Sequence, residues 1–539
     1  MPLSSSAFSS RRRFLLGALP VSLFLSSTAV SALFAQENSQ AQEPGPRPEG
    51  EPFSFDILTE TMRRRAGEPF SSAAIELPPF MAEMDYDAYR HIHFRPDHAR
   101  WSGQDSAFRV HAFHLGWLYN EPVRLYVVAD GQAIPFGFTT ADFDYRGALA
   151  DSVADDAELP GVAGFRLNYP LNRPDLFDEV IAFVGASYFR ALGRGNFYGL
   201  SARGLAINTG LSASEEFPRF SAFYLEKPLP GARNVVVNAA LESQSATGAL
   251  RFDIRPGTET VIDVTARFFF RKDVEQIGIA PMTSMFLYAE NNRSYFDDFR
   301  PQVHDSNGLQ ILRSDGDVLW RALNNPPRLA SSYFAETNPR AFGLFQRDRS
   351  FAEFQDAGAH YERRPSLLIE PVGDWGEGNI RLVEIPSDME INDNIVAFWV
   401  PAQQAKAGDE REYSYRMRWG NLDPDPAADL AYVLETRTGH GGVAGVENEP
   451  DLRKFVVDFK GGKLGRLPAD IETPPEPVVS IAGGEIVHTA LFKIDGIDVW
   501  RLAIDVRFAG EETIELVAHV AGFNQRLTET WLYQWMPTA

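Results

Sequence analysis

Two acidic turns carry residue types that could move a proton. In "EIPSDMEINDNIVAFW", Glu384 to Trp399, four carboxyl side chains fall between two apolar runs, and Asp393 lies just before the second run. In "RPQVHDSNGL", Asp305 sits between His304 and Ser306. Glycoside cleavage needs two carboxyl groups facing one bond, one protonated to serve the leaving oxygen and one ionised to activate water or attack. Distance along the chain does not prevent such a pairing. Aspartate also caps turns by accepting backbone N–H bonds, and on composition alone that reading is the stronger one for both stretches.

Flat rings that stack on sugar faces would supply the other half of such a site. Tyr361, Trp375 and Trp399 are near the second acidic stretch in sequence. Trp399 falls inside a strand and is expected in the core, whereas Trp375 follows Gly373-Asp374 in a turn and is a candidate to stack on substrate. Other chemistries have less support. His91 and His93, or His111 and His114, lack a carboxylate at matching spacing, so no metal site is expected from them. Ser187 and Ser201 lack the G-x-S-x-G elbow, and "GRGNFYG" at 193–199 lacks the strand-to-helix context of a dinucleotide loop. No cofactor is expected.

The elements that must position these residues are mostly strands. In "VIDVTARFFFR", Ile262, Val264, Ala266, Phe268 and Phe270 alternate with Asp263, Thr265 and Arg267, a period of two. The best helical stretch is "EPFSFDILTETMRRRAG", with Phe55, Leu58 and Met62 at helical spacing. The pattern predicts an all-β protein: a large sheet-on-sheet domain over residues 53–400, a polar linker at 401–412, and a small immunoglobulin-like sandwich over 413–539.

Composition limits the partners. Acidic residues outnumber Lys plus Arg by 73 to 51, so nucleic acid would approach against the protein's own field. The basic cluster Arg11–Arg13 opens "SSRRRFLLGALPVSLFLSSTAVSA", the layout of an export signal of twin-arginine type. Cleavage after Ala32 or Ala35 would take the net charge from −22 to −25. Residues 36–52, rich in Pro, Gly, Gln and Glu, are expected to form a disordered tether. With 0 Cys, the exported fold must hold without disulfides.

Ten motifs in order, "GASYFRA", "YGLSARGLAI", "EEFPRF", "IGIAPMTSMF", "VHDSNGL", "ALNNPPRL", "RPSLLIEPVGDWGEG", "LVEIP", "NDNIVAFW" and "ETWLYQ", resemble the periplasmic glucan biosynthesis protein G/D family. The resemblance runs from about Phe53 to Gln534, and the twin-arginine leader is nearer the D branch. It implies an N-terminal β-sandwich with a long cleft and an immunoglobulin-like C-terminal domain. It also implies inverting hydrolase or transglycosylase action on β-1,2-glucan in the periplasm. Asp393 matches the family's general acid and Asp305 its general base, which reaches water through a relay of hydroxyls or waters. By the same resemblance Tyr361 and Arg364 contact substrate, His304 is placed beside them at the substrate, and either His304 or solvent helps Asp305 stay ionised. The alternative implied role is a non-catalytic glucan-binding factor for the inner-membrane glucosyltransferase. A homodimer stays open. After "TRTGHGG", the loop around 439–454 departs from the family, lacking an aromatic segment, which leaves open whether water or a sugar hydroxyl is the acceptor.

Overall fold

A computed structural model describes residues 50–71, 77–102, 106–150, 153–443 and 445–537. The residues expected to form an export leader and most of those expected to form the tether lie outside the described residues. The tether ends earlier than expected, because Glu51–Pro52 already forms a short strand paired with Gln132–Pro135.

Two sheets, of 16 and 10 strands, dominate the molecule. In the larger one, Thr260–Phe270 lies between Ala246–Arg255 and Glu410–Gly420, all antiparallel. The period-two reading holds there: Ile262, Val264, Ala266, Phe268 and Phe270 are buried in the main core. That core also takes Phe165, Phe183 and Trp399 from the 10-stranded sheet, so the two sheets bury one apolar layer between them.

The helix forms as its spacing predicts, over Phe55–Ala66. Ser54 caps it, its hydroxyl accepting from the Ile57 N–H at 3.1 Å. Leu58 and Met62 then pack against Ala222, Ala240, Ala249 and Phe269. The small alanines on this outer face let the helix sit close to the sheet.

The second unit is a smaller sandwich. Strands Tyr432–His440, Leu452–Lys460, Val499–Arg507 and Glu485–Lys493 make one four-stranded sheet. Glu476–Ala482, Ile514–Gly522 and Thr530–Trp535 make the facing layer, the four-against-three split of a constant-type immunoglobulin domain. This three-stranded layer is continuous with the large sheet, because Val318–Ala322 pairs in parallel with Thr530–Trp535.

The expected linker at 401–412 and the start of the second unit at 413 need correction. Glu410–Gly420 is an interior strand of the large sheet, paired with Thr260–Phe270 on one side and Ser366–Val372 on the other. Tyr413, Tyr415, Met417 and Trp419 fill the main core, so the change of unit comes after Gly420. A buried ion pair ties the two units: Arg347 donates to both oxygens of Glu529, at 2.9 and 2.7 Å, and lies 3.4 Å over the Trp320 ring.

Candidate active site

The two acidic turns come from opposite sheets. Asp393 precedes Ile395–Pro401 of the 10-stranded sheet, while Asp305 lies between the short strand Val303–His304 and Gly308–Leu312 of the large sheet. A two-residue strap holds them together. The Asp305 N–H donates to Met285 O at 2.8 Å, and the next residue, Phe286, donates its N–H to Asn394 Oδ1 at 2.8 Å. Asn394 Nδ2 returns bonds to Phe286 O and Ile385 O, which fixes the backbone beside Asp393.

The carboxyl groups sit in different electrostatic surroundings. Asp305 is buried and ion-paired with the Arg364 guanidinium. Asp393 keeps 14% of its side chain exposed, and its nearest ion-pair partner is Arg190, with Nη2 at 3.6 Å from Oδ2. Burial raises the Asp393 pKa above the usual carboxylate value; Arg190, Arg203 and Arg364 oppose the rise, and the negative charge of Asp305 adds to it. One group is therefore biased toward holding a proton while the other is matched to a fixed cation.

Arg364 is held from two sides. Its guanidinium lies 4.0 Å over the Tyr361 ring, and its stem fills the space a side chain on Gly199 would need, since a Cβ there would come within 2.9 Å of Arg364 Cβ. Burial favours losing the Arg364 proton, but the charge and hydrogen bond of Asp305, together with Tyr361 and Glu390, outweigh it and the pKa is raised. The Tyr361 hydroxyl reaches Glu390 at 3.4 Å, and burial raises its pKa, so it keeps its proton. Asp305, Asp393, Tyr361 and Arg364 thus lie in one charged group.

Trp375 and His304 do not belong to it. Trp375 is 6% exposed, its indole N–H donates to Ser414 O at 3.1 Å, and its ring packs on Trp399, Tyr413 and Tyr415. Its turn folds inward, making it a core residue with no face for a sugar. His304 is fully buried between Phe286 and Phe354, with Gln302 and Gln346 at its ring nitrogens. Burial pulls its pKa down to about 3, so it is neutral and cannot hold Asp305 ionised by charge. The cation paired with Asp305 is Arg364.

Sequence reasoning missed Arg190, Arg203 and Tyr188. All three lie on adjacent strands of the 10-stranded sheet. Arg203 spans from Thr283 Oγ1 at 3.0 Å to Glu215 Oε1 at 2.8 Å and lies 4.8 Å over the Tyr188 ring. The Tyr188 hydroxyl is buried without a hydrogen-bond partner. Only their place in "GASYFRA" and "YGLSARG", two motifs of the resemblance, could have flagged them.

A two-sandwich β protein with asymmetrically paired carboxyl groups is the class that this fold and site define. Residues 53–535 match the family model described as periplasmic glucan biosynthesis protein, MdoG, and the chain belongs to that family. A "Glucans biosynthesis protein G" of Cereibacter sphaeroides is 58% identical over 97% of each chain. "Glucans biosynthesis protein D 1" of Ralstonia nicotianae is 45% identical over 91% of this chain and 92% of its own. A protein G of Rhodopseudomonas palustris is 43% identical over 90% and 94%. Both G-named and D-named relatives thus match over most of the chain. Among solved structures, a galactose mutarotase related enzyme from Lactobacillus acidophilus aligns with a TM-score of 0.21 and 9% identity over 49% of this chain and 93% of its own, too little to argue from. No helix among the described residues is long and apolar enough to cross a membrane.

Proposed function

We propose that this protein acts on β-1,2-glucan in periplasmic glucan biosynthesis as an inverting glycoside hydrolase or transglycosylase. The observation that carries the reading is the asymmetry between Asp393, whose pKa burial raises, and an Arg364-paired Asp305, supplied by facing sheets. Family membership supports the glucan as substrate.

In the proposed reaction Asp393 delivers its proton to the glycosidic oxygen as the bond to the anomeric carbon breaks. A water, or a sugar hydroxyl in the transfer reaction, adds to the opposite face of that carbon. Its proton passes through intervening hydroxyls to the Asp305 carboxylate. Such a relay lets the two carboxyl groups stand farther apart than the ~6.5–9.5 Å of direct inverting enzymes. Tyr361 and Arg364 border the acceptor side, and the 439–454 loop bears on the choice of acceptor. The chain would reach the periplasm by the twin-arginine route and work on glucan emerging from a membrane glucosyltransferase.

The test is incubation of purified protein with linear β-1,2-glucan, followed by chain-length analysis. Shortened or rearranged chains from the wild type, absent with Asp393→Asn, support the enzyme. Unchanged glucan with both proteins, together with retained binding, favours instead a glucan-binding factor for the synthase.

A further inference from the structure

A second group of carboxyl side chains lies between the two sandwiches, apart from the pair described above. Asp348 follows the strand Ala341–Phe345, Glu353 is in the short helix Phe351–Phe354, and Glu435 is on Tyr432–His440 of the second unit. One oxygen from each lies within 4.8 Å of the others. Two ligands on opposite sides of a Ca2+ ion, at 2.3–2.6 Å each, are separated by at most about 5 Å, so these oxygens already occupy one coordination sphere.

The local charge is not balanced by the protein. Glu290 lines the same cavity as Asp348 and Glu435. Arg437 reaches Glu435 only at 3.7 Å and is engaged with Asp458 at 2.8 Å. His304 lies 3.6 Å from Asp348, with Gln302 and Gln346 at its ring nitrogens. Neutral donors serve the rest: Asn307 Nδ2 bonds Asp348 at 2.9 Å, and the Ser350 N–H bonds Glu353 at 2.8 Å.

An independent observation points to a ligand here. Asn291 lines the cavity and is 4% exposed. Its Nδ2 donates to Leu323 O at 2.8 Å and Tyr533 Oη at 3.1 Å, which fixes the amide orientation. Its Oδ1 is left buried without a partner. A buried amide oxygen without a donor is costly, and beside carboxylates it is the ligand type that hard cations take.

We propose that Asp348, Glu353 and Glu435, with Glu290 and Asn291 Oδ1 at the cavity wall, bind a divalent cation of calcium type. The ion ties the second sandwich to the first and, through Asn307, braces the turn that carries Asp305. The site does not depend on the glucan chemistry.

Full-length protein stripped with EDTA is titrated with calcium chloride by calorimetry and thermal unfolding. One Ca2+ per chain with a rise in Tm is expected, and Glu435→Gln should weaken binding at least tenfold. Glu353→Gln, on the more open helix, serves if Glu435→Gln does not fold. No heat and no Tm change with Ca2+ would overturn the proposal, as would unchanged affinity in both variants.

Discussion

Arg190 Nη2 stops 3.6 Å from Asp393 Oδ2, beyond hydrogen-bond reach. The separation suits the proposed role of Asp393, a group that would hold a proton and then release it. A bonded guanidinium would favour the carboxylate before reaction. A cation just outside bonding distance stabilises the carboxylate formed afterwards without removing the proton beforehand.

Asp393→Asn separates chemistry from affinity. The amide keeps the shape but has no proton to deliver, so turnover of β-1,2-glucan should fall by about 10²–10⁴-fold. Binding measured by calorimetry should stay close to wild type. Equal loss of both would assign Asp393 to binding instead.

The raised pKa of Asp393 makes a stability prediction with a definite sign. A carboxyl group raised by burial favours the fold fully below its unfolded pKa of about 3.9, and this contribution is lost as pH rises through the folded value. Asp393→Asn cannot ionise, so between pH 4 and 8 its Tm should decline less than that of the wild type. Parallel curves would mean that burial does not govern this group. Activity should fall on the alkaline side over the same rise.

Gly199→Ala tests the seat of Arg364. The added Cβ would lie 2.9 Å from Arg364 Cβ and push the guanidinium away from Asp305. A 10-fold or greater loss of turnover is expected from so small a change, by the ~1 Å misplacement argument. Unchanged kinetics would show that Arg364 can shift freely.

Trp375→Phe tests the reassignment of that tryptophan to the core. Losing the indole ring and its bond to Ser414 should lower stability by about 1–3 kcal/mol in denaturant unfolding, with glucan affinity unchanged. Weakened affinity at unchanged stability would restore it to the substrate surface.

Local signals were the most legible in the sequence. The Phe55–Ala66 helix has its cap at Ser54 and its apolar face at Leu58 and Met62, all within twelve residues. The strand 410–420 also showed its period of two, but alternation reports burial on one face and not which sheet supplies the partners. Its neighbour Thr260–Phe270 lies some 150 residues earlier, so the unit boundary was hidden in non-local pairing. Asp305 and Asp393 could be found because polar turns interrupt apolar runs. Arg190 and Arg203 could not, because an arginine on a strand resembles any solvated face until the folded sheet brings Asp393 near it. Trp375 misled because its Gly-Asp turn suggested exposure, whereas the turn closes over the core.

The most direct test of the paired-carboxyl account is the anomeric configuration of the first product. Linear β-1,2-glucan with the wild-type protein, followed by NMR from the earliest times, should give new reducing ends in the α configuration that then mutarotate, while Asp393→Asn gives none. New reducing ends that first appear as β would contradict inversion, and equal product from the Asn variant would contradict Asp393 as the acid.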